Sequence, residues 1–341
     1  MELKRIAIDT SKHVFTLHGL DRQDRAVLRR DLRRAQLEAF FRELPATEVV
    51  MEACGGSHHW GRFLSALGHT VKLIPPQYVK PFVKRGKNDR NDAEAINEAA
   101  SRPSMRFVPV KTAVQQAGTM ILKTRDLLVR QRTQLINAAR GHASEFGVIA
   151  AKGTARVDAL LERVAGDETL PQEARDMIAV LGEQIKDLDM RITALETRMK
   201  QAHKTNPVSQ LLEAVPGIGP IGALSLALTV DPGQFRSGRH FAAWLGLTPR
   251  ERSTGGKQRM GGISRAGDER LRQLLVIGAT AVIRHVKPGG RNASAWLLSL
   301  LERRPRKVAA VALANKMARV VWAMMTSGEA YRGTRAVLVS A

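Results

Sequence analysis

"LKRIAID" at residues 3–9 is a short apolar run closed by an aspartate, and "HVFTLHGLD" at residues 13–21 reads as its hairpin return. Beyond this pair, "RRAQLEAFFREL" (33–44) has apolar residues at helical spacing. "TEVVMEACGG" (47–56) is a second apolar run, this one carrying Glu52 at its end. "HHWGRFLSALG" (58–68) is helical again, and "HTVKLIPP" (69–76) is a third strand. Strands alternating with helices in this way predict an α/β domain with a mixed sheet.

Strand signals stop after the proline-containing "RPSMRFVPV" (102–110), and a long polar helix is predicted from about Thr112 to Phe146. Between Met177 and Lys200 the residues Ile178, Leu181, Ile185, Leu188, Ile192, Leu195 and Met199 alternate spacings of three and four, which is a coiled-coil seam. With Ile178 at an a position, Asp189 and Glu196 fall at e while Arg191 and Arg198 fall at g. Parallel self-pairing then sets opposite charges together, and antiparallel self-pairing sets like charges together. Two arrangements satisfy the seam: a pairing between copies of the chain, or an intrachain hairpin with residues 112–146. From Asn206 onward the chain reads as helix and loop, rich in glycine and arginine. The expected class is α/β + α, with an α/β domain at 1–110, a helical region at 111–205 and a mainly helical domain at 206–341.

Charge narrows the function. Lys and Arg number 54 against 32 Asp and Glu, a formal charge of +22 that points to a polyanionic partner. Residues 250–307 alone hold 14 Lys and Arg against 4 Asp and Glu. No continuous apolar stretch approaches the ~20 residues of a membrane span, and "MELKRIAIDTSK" lacks the apolar core of a signal peptide. A single cysteine, Cys54, excludes an internal disulfide and any cysteine-rich zinc site. It reads as a small buried residue in a cytoplasmic protein. The adjacent His58 and His59 lack the spacing of a zinc helix.

Acidic residues stand out against that background. Asp9 ends the first strand, Glu52 ends the second apolar run, and Asp89 and Asp92 open the helix "DRNDAEAINEAA" three residues apart, on one face. If the first and second apolar runs are neighbouring strands, Asp9 and Glu52 stand side by side, and the helix can bring Asp89 and Asp92 to the same edge. Four like charges in one site are costly unless divalent cations relieve them. Mg²⁺, or Mn²⁺ in its place, favours such oxygen ligands and suits phosphodiester chemistry. The basic neighbours Lys84, Arg85, Lys87 and Arg90 would hold a nucleic-acid backbone over the metals. Singly, each acid has a structural alternative: Asp9 as a turn or cap residue before Thr10 and Ser11, Asp89 as a helix cap. Glu52 closing an apolar strand has no routine structural role, while Glu94 and Glu98 read as solvated.

Taken together, Asp9, Glu52, Asp89 and Asp92, with "KNDRNDAEAI" around the last pair, resemble the DEDD motif of the transposases of the insertion sequence 110 family. The resemblance implies an N-terminal domain of ribonuclease-H-like fold, akin to the Holliday-junction resolvase RuvC.

A second centre lies further on. "LLEAVPGIGPIGALSLALTVD" (211–231) resembles a helix-hairpin-helix, in which Gly217 and Gly219 allow a tight turn and offer N–H groups to a phosphate. In "WLGLTPRERSTGGKQRMGGISRAGDERLRQLL" (244–275), Gln258 after Lys257 excludes a phosphate-binding P-loop, and Ala266 excludes a hydrolase elbow. What remains is Ser253 and Thr254 leading into glycines, with Arg250, Arg252, Lys257, Arg259 and Arg265 nearby. A hydroxyl there can attack a phosphate that the cations neutralise, or merely hydrogen-bond it. This stretch and "LANKMARVVWAMMTSGEAYR" (313–332) are similar to the C-terminal domain of the same transposases, which implies a nucleophilic serine at Ser253 with Thr254 in the variable second place. The family often has Lys where Arg265 stands.

The expected function is therefore a DNA transposase or recombinase acting by serine-mediated, Mg²⁺-assisted cleavage and rejoining. Its expected partners are donor and target DNA and, by the resemblance alone, a structured guide RNA. The expected assembly is a homo-oligomer, dimer or tetramer, associated with the nucleoid. Two alternatives stay open at this point: a resolvase-like nuclease using metal-activated water, and a non-catalytic DNA-binding protein.

Overall fold

The computed structural model describes residues 3–84, 88–287 and 294–332. The elements are β1 (Arg5–Thr10), β2 (Val14–Leu20), β3 (Ala26–Arg33), α1 (Arg34–Glu43), β4 (Glu48–Glu52), α2 (Ser57–Ala66), β5 (Thr70–Ile74), α3 (Pro76–Val79) and α4 (Asp89–Ala100), then α5 (Ala113–Glu145), α6 (Val157–Ala165), α7 (Gln172–Thr205), α8 (Pro207–Glu213), α9 (Pro220–Thr229), α10 (Gly238–Trp244), β6 (Pro249–Glu251), β7 (Met260–Ile263), α11 (Glu269–His285), α12 (Ala295–Arg303) and α13 (Arg306–Ser327). They form two compact units, Met1–Gln116 and Ala117–Ala341.

In the first unit five strands form one mixed sheet in the order β3-β2-β1-β4-β5. β2 runs antiparallel to β1 and β3, while β4 runs parallel to β1 and β5. Strand alternation sorts the side chains between two cores. Ile6, Ile8, Val49 and Met51 pack with Leu37, Phe41, Trp60 and Leu64 of α1 and α2. Ala7 and Val50 face the other way, onto Ala95, Ile96 and Ala99 of α4. Both faces are covered, so β1 and β4 read as near-continuous apolar runs, as buried strands do.

β3 was not foreseen. Its sequence, AVLRRDLR, is mostly exposed and shows little apolar alternation, because it is an edge strand whose charges protect an open row of backbone groups.

The second unit is mostly helical. Its seam resolves as an intrachain antiparallel pairing of α7 with α5. Arg125 bonds Glu196 at 2.5 Å and Arg132 pairs with Asp189, so α5 advances seven residues as α7 retreats by seven. Leu122 clusters with Met199, Ile136 with Ile185 and Ala143 with Ile178 in the same register. The carboxylates at the e positions thus meet arginines of α5 in the same chain.

The remainder packs around α13, whose Ala309, Ala310, Ala314, Met317, Ala318 and Val321 are buried in a core shared with α8, α10 and α11. The expectation of helix and loop alone past Asn206 is corrected here: β6 and β7 form an antiparallel hairpin. Exposed, arginine-rich and only three and four residues long, these strands carry no apolar pattern to announce them. By length and mean composition α13 is apolar enough to cross a membrane, although Asn315, Lys316 and Arg319 interrupt its apolar run. Core helices share that property, and one face of α13 lies in this unit's core.

Candidate functional site

β1 and β4 are parallel neighbours, in register from Arg5 with Glu48 to Ile8 with Met51, so the next residues, Asp9, one before the end of β1, and Glu52, the last of β4, stand side by side. Alternation puts both on the side of Ala7 and Val50, the face that α4 covers. α4 begins at Asp89, and both Asp89 and Asp92 lie in its first turn, where the helix dipole favours negative charge. Ligand oxygens of Asp9, Asp89 and Asp92 all fall within 4.8 Å of one another.

The electrostatics record the crowding. Asp9 is pushed up to about 6, first by burial and then by the Asp92 and Asp89 carboxylates, against a lowering backbone hydrogen bond at Thr10. Glu52 is raised too, by burial and then by Asp9 and Asp92. Glu52 thus adjoins the compact trio and completes the acidic edge. Mg²⁺ holds oxygen ligands at about 2.1 Å, so the trio is a small side-chain adjustment from sharing a cation.

The cap alternative for Asp89 does not hold. Asn88 is the N-cap, its side chain accepting from the Asn91 N–H at 2.8 Å, which leaves the Asp89 carboxylate exposed. Asn88→Ala is expected to cost about 1 kcal/mol and, by loosening the turn that carries both aspartates, to reduce whatever stabilisation a divalent cation gives. Thermal melts with and without Mg²⁺ read both effects.

Two residues that sequence reasoning missed hold α4 in place. Buried Asn97 donates its Nδ2 to the His18 carbonyl at 2.6 Å and to His18 Nδ1 at 2.9 Å, tying α4 to β2. Burial lowers the His18 pKa, which keeps the ring neutral and Nδ1 free to accept. An apolar residue at position 97 would have suited the helix pattern, and Asn there was the available signal.

Of the basic neighbours, Lys84 bonds Glu94 at 2.6 Å and Arg90 lies 3.8 Å from Asp31. Arg85 and Lys87 lie outside the described residues. Glu94 is a paired, half-buried group rather than a solvated one, and its bond to Lys84 holds its carboxyl low. Cys54 is half-buried rather than buried, with its Sγ 3.0 Å from Thr10 Oγ1.

In the second unit Ser253 sits in the connection between β6 and β7. Thr254 and Lys257 exchange backbone hydrogen bonds across Gly255 and Gly256, whose φ values of +55° and +76° supply the left-handed pair that a two-residue hairpin turn needs. Ser253 is exposed, its Oγ donating to Glu251 Oε1 at 2.9 Å and accepting from the Arg259 N–H at 3.3 Å. Glu251 is a further missed residue of chemical interest, two positions before the serine in an unforeseen strand.

Arg250, Arg252, Lys257, Arg259 and Arg265 are all exposed around this loop. Arg250 is oriented by bonds to the Ser264 carbonyl at 3.2 and 2.8 Å, and Arg265 takes a φ of +55°. Gly217, at φ +89°, lies against α11: a Cβ there would meet the Gly278 carbonyl oxygen at 2.7 Å. Its lack of a side chain thus serves a backbone-to-backbone approach. Gly219 precedes α9 with ordinary φ and open space beside it.

Models of known protein families match the stretches that hold both groups of residues. A transposase family model of the DEDD, IS110 type matches residues 6–147, and the model described as "Transposase IS116/IS110/IS902 family" matches residues 209–295. A putative transposase of Sinorhizobium fredii is 54% identical over 333 residues, covering 97% of this chain and 86% of its own. A probable family 20 transposase of Pseudomonas aeruginosa is 51% identical, covering 97% and 99%. The transposase for insertion sequence element IS1111A of Coxiella burnetii is 42% identical, covering 97% and 92%. Similar along nearly its whole length to insertion-sequence transposases, and matched in both units by their family models, the chain belongs to the IS110 family of transposases.

Proposed function

We propose that this transposase breaks and rejoins DNA strands through Ser253, with the acids of the first unit acting on the same phosphodiester. The observation that carries the reading is the convergence of Asp9, Asp89 and Asp92, within 4.8 Å, on one sheet edge beside Glu52. The mixed sheet with helices on both faces fits a ribonuclease-H-like domain, in which these four residues hold a divalent cation, Mg²⁺ or Mn²⁺. Bound there, the cation would supply charge neutralisation to the phosphate oxygens.

At the serine, Glu251 takes the Oγ proton as Oγ bonds to phosphorus and the strand's own P–O bond breaks; the leaving sugar oxygen takes up a proton. The new phosphoserine ester keeps the phosphorus activated, so rejoining is the same exchange in reverse and needs no external energy source. Arg250, Arg252, Lys257, Arg259 and Arg265 offset the phosphate charge, and Lys84, Arg85, Lys87 and Arg90 guide the backbone over the acids. The turn at Gly217 and Gly219 contacts a further phosphate as a helix-hairpin-helix.

Nucleophile and acids belong to different units, to be brought together in cis or across protomers of a homo-oligomer, dimer or tetramer, in which the helical region 111–205 links the sheet domain at 1–110 to the serine domain at 206–341. Donor and target DNA are the substrates, a structured RNA from the element guides their pairing, and the protein works in the cytoplasm on the nucleoid.

The test is a denaturation-resistant protein–DNA adduct formed with DNA, the element's transcript and Mg²⁺. Cleavage without an adduct would assign the chemistry to water; no cleavage with any variant or metal would leave a DNA-binding protein. Glu251→Gln is expected to slow adduct formation about 10²-fold, measured on quenched time courses.

A further inference from the structure

α13 has two apolar faces. One, carrying Ala310, Ala314 and Met317, is buried in the core of the second unit. The other, with Val308, Val311, Ala312, Val320 and Trp322 interrupted by Asn315, Lys316 and Arg319, lines an open cleft of about 1930 Å³. Opposite stands the β6–β7 hairpin with Arg252 and Thr254, the residues on either side of Ser253. The remaining charged groups around the cleft are arginines and lysines, and among the described residues that line it there is no carboxylate.

Trp296 of α12 also borders the cleft. Its ring stays 39% exposed, with Lys316 Nζ 4.5 Å from the ring centroid. The walls are pinned: Asn315 Nδ2 donates to the Leu247 carbonyl at 3.2 Å and Trp322 Nε1 to the Pro232 carbonyl at 3.1 Å.

An apolar, aromatic wall under a basic rim is complementary to a particular form of nucleic acid. A duplex keeps its bases stacked inside and offers phosphates to the outside, which would satisfy the rim and leave the wall without a partner. A single strand has both phosphates for the cations and exposed base faces for the indole and aliphatic surface. The cleft also exceeds the roughly 300–1,000 Å³ of small-molecule sites, enough for more than one nucleotide.

We propose that this cleft receives unpaired bases of a single DNA strand, stacked against Trp296 and the apolar face of α13, so that the strand reaching Ser253 arrives unpaired. DNA is the occupant because the cleft runs into the serine loop; in this respect the inference rests on the reading of that loop as DNA-facing.

Binding to the full-length protein in EDTA, where cleavage is suppressed, tests it by fluorescence anisotropy. The probes are a labelled oligothymidylate, an abasic strand of equal length, the matching duplex and an oligouridylate. Oligothymidylate should bind about tenfold tighter than the abasic strand, and Trp296→Ala should erase that difference while leaving abasic strand and duplex unchanged. Trp296→Phe should retain it. Equal binding of base-bearing and abasic strands, an equal loss on all probes in Trp296→Ala, or a preference for oligouridylate would each overturn the proposal. Since no chemistry is read, absence of the serine adduct would not alter this result, and loss of the base preference would not alter the adduct.

Discussion

Asp9→Asn is expected to abolish DNA strand exchange and at the same time to raise the thermal midpoint of the metal-free protein at neutral pH. The two effects have one cause. Folding carries the Asp9 carboxyl from an ordinary 3.8 to about 6, through burial and the nearby Asp92 and Asp89. Between those values the native state holds a proton that the unfolded chain has released, so stability falls as pH rises through the interval and stays low above it.

Asn keeps the volume and removes the charge. Asp9 is only half-buried, so solvent screening reduces the gain to about 1–2 kcal/mol, or a midpoint several degrees higher at pH 7.5. Wild-type protein should recover this stability in two ways, by acidification to pH 5 or by Mg²⁺ at pH 7.5, and the variant should respond less to both, the remaining acid response coming from Glu52. Melting curves at both pH values, with and without Mg²⁺, decide it. A variant that is still stabilised by Mg²⁺ as strongly as the wild type would remove Asp9 from the cation site.

Ser253→Ala is expected to eliminate the covalent adduct and to lower strand exchange by roughly 10³-fold or more, the scale on which a nucleophile is lost. Thr254→Ala should keep the adduct. The two hydroxyls differ in surroundings: Ser253 Oγ is exposed and already donates to a carboxylate at 2.9 Å, whereas Thr254 uses its backbone to close the glycine turn with Lys257. The Ser253→Ala chain should melt like the wild type, because the side chain makes only loop contacts. Electrophoresis of quenched reactions under denaturing conditions reads the adduct directly. Cleavage that continues at the wild-type rate in Ser253→Ala would hand the reaction to water.

The central strands and their acids were legible because burial on both faces of the sheet forces continuous apolar runs, and an acid at the end of such a run has few reasons to be there. Asp9 and Glu52 announced themselves in this way. β3 and the β6–β7 hairpin were not legible, for the opposite reason: edge and solvent-exposed strands carry charge, and their pairing is decided by partners distant in sequence. Glu251 was hidden with the strand that holds it, and His18–Asn97 because nothing local marks a contact across 79 residues.

By itself the amino-acid order determined the alternation of strand and helix, the positive charge, the heptad seam and the acids at the ends of the apolar runs, since each rests on local periodicity or composition. Only the tertiary structure decided that Asn88 rather than Asp89 caps α4, that the seam closes on α5 of the same chain, and that Asp9, Asp89 and Asp92 meet within 4.8 Å. These outcomes depend on which strand lies beside β1 and where α4 docks, which are choices made by packing over long stretches of chain that no local pattern encodes.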